Sequence, residues 1–441
     1  MYRDLTKGSI SRSLLLFALP MIAGNLLQQC YNLADTLIVG RFLGPNALAA
    51  VGSAYTLMTF LTSVFLGLSL GSGALFSICR GRSDQAALRA AVLHAFALVL
   101  AVTALVTAAV YLGLDGILIF LRVPDDVWGG MRTYLLVIFA GLLATSLYNF
   151  FACLLRALGN SSVPLFFLAV SAALNIGLDL YFVAVLGWGI SGAALATILS
   201  QYVSGLGILL YVLIRCRDVL PRRGELRADR RVLGEVLRLS SLTCAQQSVM
   251  NFGILLVQGL VNSFGPVVMA AFAAAVKIDT LAYLPVQDFG NAYSTFVAQN
   301  YGAGQKERIR RGTRQAFLLS AGFCAVLSLL VCFFAAPLMA LFVGAGETEV
   351  VAAGVLYLHI EGSCYLGIGL LFLFYGYYRA VKRAGMSLVL TILSLGTRVA
   401  LAYLLSAVVG VAGIWVAIPV GWALADLVGF AAMRRSGRPV R

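Results

Sequence analysis

The feature that most constrains this chain is a series of long apolar runs separated by short polar segments. Each run holds about 20 residues or more, enough to cross about 30 Å of hydrocarbon as an α-helix. The chain has 441 residues, of which 61% are hydrophobic and 11% are charged. A soluble domain carries roughly a quarter charged residues. The sequence therefore predicts an all-α polytopic membrane protein and excludes a soluble one.

Twelve apolar spans can be delimited, and they are predicted to be the transmembrane helices. They cover residues 14–40, 46–78, 88–112, 132–152, 163–186, 190–214, 236–262, 267–298, 315–341, 353–377, 386–408 and 411–433.

The connections between spans alternate in charge. Most of the 32 Lys and Arg residues lie at the two termini and in every second connection, and the other connections hold only Arg41, Arg122 and Arg132. Cytoplasmic connections carry the excess of Lys and Arg. Both termini are therefore predicted to be cytoplasmic, which requires an even number of spans. The net charge of +14 then reflects topology and attraction to anionic lipid head groups, not nucleic acid.

Enzyme chemistry is not indicated. The eight cysteines show no CxxC pair and no metal-ligand spacing, and most lie inside apolar runs, where they are predicted to be packing residues. Neither an HExxH nor a DDxxD motif occurs. An intramembrane enzyme would need a nucleophile with its base, or a metal cluster, so a protein without cofactor or metal cluster is expected.

The second half of the chain repeats the first. Gly44-Pro45 recurs as Gly265-Pro266 and Arg156-Ala157 recurs as Arg379-Ala380, at nearly equal separations along the chain. A register held over such distances indicates duplication. Two six-helix bundles are predicted, related by a pseudo-twofold axis along the membrane normal. The predicted domains are an N-lobe of six transmembrane helices at 1–214, a cytoplasmic linker at 215–238 and a C-lobe of six transmembrane helices at 239–441.

Two acids lie inside apolar spans of the first half, Asp35 in the first span and Asp179 in the fifth. An acid at a helix centre costs about 2.5–3.5 kcal/mol on insertion scales. At about 1.5 Å per residue, both acids lie about 10 Å below the outer boundary, as does Thr197, and Asn175 lies one turn deeper than Asp179. These four side chains offer carboxylate, amide and hydroxyl oxygens, which suit a monovalent cation such as Na⁺ or a shared proton.

The repeat does not reproduce this group. Asp35 maps to Leu256 and Asp179 to Ala400, so the role of the acids is specific to the first half. The alternative interpretation is that both acids only hydrogen-bond neighbouring helices, or lie close enough to the surface to be hydrated.

Other polar residues inside the spans have two interpretations. Lys277, Glu361 and Arg398 in the second half either contribute to coupling or form static ion pairs. Four glutamines on the first span of each half either line a substrate cavity or bridge helices; they are Gln28, Gln29, Gln246 and Gln247. Pro20 removes a backbone hydrogen bond below Asp35 and is either a hinge or an ordinary tolerated proline.

The sequence resembles the multidrug and toxic compound extrusion (MATE) family over nearly its whole length. The similarity rests on DLTKGSISRSLLLFALPMIAGNLLQQCYNLADTLIVGRFLG, on ALAAVG after it, and on RALGNSSVP, NIGLDLYF and WGISGAALAT. The resemblance implies two six-helix bundles around a central cavity and export of organic, often cationic compounds, driven by entry of H⁺ or Na⁺. The cation-site pattern of the family's N-lobe carries over onto Asp35, Asn175, Asp179 and Thr197. Some members use acids in the C-lobe, where Glu361 is the candidate here.

The expected protein is therefore a cation-coupled antiporter of the bacterial inner membrane. It is expected to act by alternating access, as a monomer in the lipid bilayer, on small organic cations. A flippase of lipid-linked precursors is the main alternative, although its cavity should hold more cations than Lys277 and Arg398. A channel would need no pair of ionisable residues in one lobe.

Overall fold

The structure is a computed structural model that describes residues 3–120, 123–221, 229–344 and 346–436. In these ranges the regular structure is helical and includes no strand. The α-helices are α1 (Ile10–Leu43), α2 (Pro45–Gly81), α3 (Gln85–Leu112), α4 (Leu114–Phe120), α5 (Asp125–Ile138), α6 (Leu142–Ala157), α7 (Ser162–Asp179), α8 (Gly189–Arg215), α9 (Arg230–Asn262), α10 (Pro266–Gly302), α11 (Lys306–Phe333), α12 (Ala335–Val343), α13 (Thr348–Gly362), α14 (Tyr365–Ala380), α15 (Ala384–Val409) and α16 (Val411–Ser436).

The predicted all-α polytopic fold is confirmed. Among the described residues, eleven helical segments are long and apolar enough to cross a membrane, and the count is twelve if α13 and α14 form one span. These two helices meet at an angle of 51°. The predicted tenth span, 353–377, is therefore bent and not straight.

The breaks in the helices follow the duplication. A 3₁₀ turn at Phe139–Gly141 separates α5 from α6. The first residues of α5 and α6 are equivalent, in the repeat, to the first residues of α13 and α14. The short helices α4 and α12, which hydropathy alone does not separate from their neighbours, also begin at equivalent positions of the repeat. The two halves thus share their helices and also the places where those helices stop.

The two Gly-Pro pairs start equivalent helices. Gly44 and Gly265 have φ angles of 83° and 95°, in the left-handed region that a residue with a β-carbon rarely adopts. Pro45 and Pro266 follow as the first residues of α2 and α10. Proline suits this position because the first helical N–H has no intrahelical partner. The repeated pair therefore fixes a sharp turn into the second helix of each half.

The chain divides into two compact units. Unit 1 comprises Met1–Asp4 and Leu19–Cys244, and unit 2 comprises Leu5–Ala18 and Ala245–Arg441. This division differs from the predicted lobes at α1 and α9. The first part of α1 belongs to unit 2 and its remainder to unit 1, whereas the first part of α9 belongs to unit 1 and its remainder to unit 2. Of the predicted linker, residues 222–228 lie outside the described residues, as does Arg122.

The assignment of Leu5–Ala18 to unit 2 has a clear physical basis. Leu5 is fully buried, its amide donates to Gln299 Oε1 at 3.2 Å, and its carbonyl accepts from Asn300 Nδ2 at 3.2 Å. Arg308 donates to the carbonyl oxygens of Lys7 and Gly8, at 2.8 Å each. The backbone N–H and C=O groups of this segment before α1 have no partner inside a helix. Side chains of α10 and α11 therefore form hydrogen bonds with them.

Candidate functional site

The structure brings Asp35 and Asp179 together in unit 1. Asp35 lies on α1 and Asp179 is the last residue of α7, and their carboxyl groups lie within hydrogen-bonding reach of each other. Asp179 is fully buried. Two carboxyl groups can share a hydrogen bond only when one of them is protonated, because a carboxylate has no donor. The geometry is therefore suited to holding a proton between the two side chains.

Asn175 and Thr197 lie beside each other on facing helices. Asn175 is one turn before Asp179 on α7 and 1% exposed. Its Nδ2 donates to Thr197 Oγ1 on α8 at 3.4 Å, and this hydroxyl donates to the carbonyl oxygen of Ala193 at 3.0 Å. The amide oxygen of Asn175 has no described donor. An acceptor oxygen is thus available next to the acid pair.

The backbone changes form directly after Asp179. Residues Leu180–Val185 make a π-helical segment that continues α7. Such segments add one residue to a turn, which redirects the side chains around them, and they occur frequently at functional sites. In the second half, α15 continues without a π segment from Ala384 to Val409. The irregular backbone therefore accompanies the acid in unit 1.

No described cation compensates the acid pair. Asp35 Oδ1 and both carboxylate oxygens of Asp179 are buried and have no described hydrogen-bond donor. Arg132 on α5 instead pairs with Asp115 at 2.9 Å, and both of those side chains are exposed. Buried carboxylates without a counter-charge are costly. A proton or a monovalent cation is what this arrangement accommodates.

The other predicted residues of unit 1 lie along α1. Gln28 is half-buried beside the Tyr31 hydroxyl, and Gln29 is also half-buried. Neither glutamine makes a hydrogen bond with the acid pair in the described part of the chain. Pro20 lies inside α1, which continues through it as one helix.

Unit 2 contains a second pair of acids. Asp279 on α10 and Glu361 on α13 are 5% and 2% exposed, and their carboxyl groups lie within hydrogen-bonding reach of each other. The hydroxyl of Tyr357 lies beside Glu361, and that of Tyr365 lies beside Asp279. Asp279 Oδ1 and Glu361 Oε2 have no described hydrogen-bond partner.

Arg398 gives this second pair a nearby positive charge. It lies on α15, is 9% exposed and is within electrostatic range of both acids. No ion pair is formed within 4.0 Å by Arg398 or by Lys277 among the residues that the structure describes, and Lys277 is exposed. The static ion pairs considered from the sequence are therefore absent from this part of the chain.

The glutamines of α9 are buried in unit 2. Gln246 is 1% exposed and its Oε1 has no described partner, and Gln247 is 7% exposed. These side chains are available for interactions inside the unit, but the structure does not bring them into hydrogen bonds with Asp279 or Glu361 in the described residues.

Sequence reasoning missed Asp279 as a partner of Glu361. In the structure each of these acids lies thirteen residues after the first residue of its helix. Both helices begin at the same predicted side of the membrane, so equal helical rise places the acids at one depth. The predicted spans begin at 267 and 353, twelve and eight residues before the two acids, so the depth comparison made from the sequence did not group them.

One local pattern could be mistaken for a catalytic motif. Residues 67–71, GLSLG, match the letters of GxSxG, which in hydrolases forms a sharp turn between strand and helix. Here the segment lies inside α2 and Ser69 is fully buried. A β-carbon on Gly67 would lie 2.5 Å from Cys244 Cα, and one on Gly71 would lie 2.5 Å from the Leu239 carbonyl oxygen. These glycines allow α2 and α9 to pack closely and form no nucleophile.

Fold and site together define a polytopic helical membrane protein with duplicated halves and a pair of neighbouring acids inside each. The chain belongs to the MATE family of multidrug efflux transporters: the MatE family model matches residues 20–181 and again residues 243–404. The two matched ranges are separated as the register of the duplication predicts. The resemblance inferred from the sequence is confirmed.

Known relatives cover most of the chain. The probable multidrug resistance protein YpnP of Bacillus subtilis is 31% identical over 395 residues, which are 89% of this chain and 87% of that protein. YoeA of the same organism, also a probable multidrug resistance protein, is 28% identical over 96% of this chain and 93% of its own. The fold matches a multidrug resistance MATE family transporter solved in an outward-facing conformation, with a TM-score of 0.93, 24% identity and coverage of 99% and 98%.

Proposed function

We propose that this protein exports organic cations by antiport against H⁺ or Na⁺, which binds at Asp35 and Asp179. One observation carries the proposal: the fully buried carboxyl group of Asp179 and the half-buried one of Asp35 lie within reach of each other in unit 1, with no described cation beside them. Uptake of one positive charge removes the repulsion between two carboxylates. Asn175 and Thr197 supply further oxygen atoms at the same place.

The helix α1 is suited to couple ion binding to a change of conformation. It carries Asp35, and its residues up to Ala18 group with unit 2 whereas those from Leu19 group with unit 1. Pro20 follows this change directly and removes one backbone hydrogen bond of the helix. Neutralising Asp35 then alters the packing of α1 against α7, and the helix bends near Pro20. Substrate is released to the outside, and the ion leaves to the inside.

Asp279 and Glu361 are a second candidate site for the coupling ion. The observation that favours them is their contact inside unit 2, with two tyrosine hydroxyls beside them. Arg398 already supplies part of the compensating charge, so this pair requires less added positive charge than the pair of unit 1.

The protein is expected in the bacterial inner membrane as a monomer with both termini cytoplasmic. The basic connections support this orientation. Gln28, Gln29, Gln246 and Gln247 are proposed to contact substrate, since amide groups bind polar parts of many organic molecules. The relatives named above are described as multidrug resistance proteins, which favours export of small molecules over flipping of lipid-linked precursors.

The test is transport of several cationic dyes in proteoliposomes with an imposed gradient of pH or of Na⁺. We expect dye movement opposite to one of these gradients, and collapse of transport when the appropriate ionophore removes that gradient. Dye flux that follows neither gradient would rule out antiport. Liposomes that contain no protein, under the same gradients, give the background of passive dye leakage.

A further inference from the structure

Asp426, another buried acid of unit 2, lies apart from both pairs. Asp426 on α16 is 6% exposed, and its Oδ1 is buried without a hydrogen-bond partner. No described residue forms an ion pair with it. At this position the first half has Gly205, so the acid is again specific to one half.

Asp426 lies where α14 and α16 approach closely. Its Oδ2 is 3.9 Å from the position that a β-carbon on Gly367 would take, and Trp422 Cβ is 3.1 Å from the same point. One turn further along, the Tyr378 hydroxyl donates to the Gly429 carbonyl oxygen at 2.7 Å. Asp426 is therefore enclosed between two packed helices and does not lie on the lipid-facing surface.

The position along the helices places Asp426 below the acid pair of unit 2. Gly367 lies six residues after Glu361 on the bent span formed by α13 and α14. By helical rise this is about 9 Å nearer to the end of the span that is predicted to be cytoplasmic. Asp426 lies ten residues before Ser436, the last residue of α16.

Polar groups continue from Asp426 towards that end. The Tyr375 side chain on α14 lies within electrostatic range of Asp426 and beside Thr391 of α15. Thr391 Oγ1 donates to the Ser387 carbonyl oxygen at 3.0 Å, and Ser387 Oγ donates to the Tyr375 carbonyl oxygen at 3.1 Å. These side chains are buried, and α15 begins only three residues before Ser387.

These surroundings favour a proton over a metal ion at Asp426. Na⁺ would need several oxygen ligands, whereas the groups described close to this carboxyl group are the Trp422 side chain, Gly367 and Tyr375. Tyr375 is the titratable group that faces Asp426 from α14, and the described residues of α13 and α15 place no charged group in electrostatic range of it. An isolated buried carboxyl group of this kind is held as a neutral acid.

We propose that Asp426 is a proton-binding carboxylic acid that relays protons in unit 2 between the Asp279 and Glu361 pair and the cytoplasmic end of the bundle. The inference rests on the proposed antiport. In its starting state Asp426 holds a proton. Its O–H bond breaks when water at the cytoplasmic end accepts this proton, and it forms again with a proton released by an O–H bond of the Asp279 and Glu361 pair, with Tyr375 positioning the carboxyl group. The acid returns to its starting state and no other reactant is needed.

The test is infrared spectroscopy of the purified protein in lipid, in the region of the carbonyl stretch of protonated carboxylic acids. We expect Asp426→Asn to lose one such band at neutral pH, and Asp115→Asn, at an exposed and ion-paired acid, to lose none. An unchanged spectrum in Asp426→Asn would overturn the proposal. If that variant does not reach the membrane, Asp426→Ser, which is smaller and equally unable to titrate, replaces it.

Transport measurements then distinguish the relay from the antiport. With a pH gradient imposed, we expect Asp426→Asn to slow dye flux, and Tyr375→Phe to slow it less because the carboxyl group remains. If dye flux of the unmodified protein ignores the pH gradient but the band is lost in Asp426→Asn, the acid binds a proton, but antiport against H⁺ and the relay that rests on it are both wrong. If flux follows the gradient and Asp426→Asn transports at the full rate, the relay is wrong and the antiport stands.

Discussion

The two units use different helices for the same arrangement of acids. In unit 1 the pair lies on α1 and α7, the first and fifth spans, and in unit 2 it lies on α10 and α13, the second and fourth spans of the repeat. Asp35 corresponds to Leu256, and Asp279 corresponds to Met58. Duplication thus preserved the helices and their breaks, whereas each half placed its acids separately.

The pairs also differ in their compensating charge. Two carboxylates about 4 Å apart repel by about 4 kcal/mol at an effective dielectric constant of 20. In unit 2 Arg398 lies within electrostatic range of both acids and opposes this repulsion. In unit 1 the described residues provide no such cation. In the proposed antiport the first pair therefore takes its compensating charge from a bound H⁺ or Na⁺, whereas the second pair has part of it from Arg398.

The largest effect is expected for the acids of unit 1. Asp35→Asn and Asp179→Asn should each reduce gradient-driven dye transport to the level of protein-free liposomes, because a neutral amide needs no coupling ion. Asp115→Asn is the control, since Asp115 is exposed and pairs with Arg132 at the surface. Full dye transport in Asp179→Asn with normal insertion would contradict the role of the pair.

Much of this comparison could be predicted from the sequence. Hydropathy and the alternation of basic connections predicted a polytopic helical membrane protein. The rise per helical residue predicted similar depths for Asp35, Asn175, Asp179 and Thr197. Both signals work because the bilayer fixes span length and charge placement. The repeat register likewise predicted equivalent helices in the two halves.

Other features carry no signal of this kind. The 3₁₀ turn at Phe139–Gly141 and the bend before Tyr365 consist of residues as apolar or small as their neighbours, so hydropathy runs through them. The π segment after Asp179 is equally apolar. The grouping of Leu5–Ala18 with unit 2 depends on hydrogen bonds from residues about 300 positions away along the chain, such as Arg308, which no local pattern reveals.

An intermediate effect is expected for the cation of unit 2. Arg398→Gln should lower the stability of the purified protein by about 0.5–3 kcal/mol, the range of coupling between neighbouring charged residues, because the two acids lose their compensating charge. Glu361→Gln in the same chain should restore most of the loss. The measurement is the midpoint of thermal unfolding in detergent for both single variants and the double variant.

The double-mutant cycle of Arg398 and Glu361 has a control variant and an outcome that would contradict the interaction. Arg132→Gln removes an exposed partner of Asp115 and should change stability by about 1 kcal/mol or less. The loss in Arg398→Gln should shrink as the pH falls, since protonated acids no longer repel each other. Additive losses in the double variant would mean that Arg398 does not interact with Glu361.

The smallest effect concerns the choice between Na⁺ and H⁺ in unit 1. Thr197 Oγ1 accepts from Asn175 Nδ2 and could contribute an oxygen ligand to Na⁺ but has no part in binding a proton between two carboxyl groups. If Na⁺ is the coupling ion, Thr197→Val should raise the Na⁺ concentration that gives half-maximal transport about two- to tenfold. This change is equivalent to about 0.5–1.5 kcal/mol for one lost polar interaction. Thr133→Val is the matched control, because this exposed threonine makes the same bond to a carbonyl one turn earlier, that of Gly129 at 2.9 Å. Unchanged ion dependence in Thr197→Val, together with loss of transport in Asp179→Asn, would assign the unit 1 site to a proton.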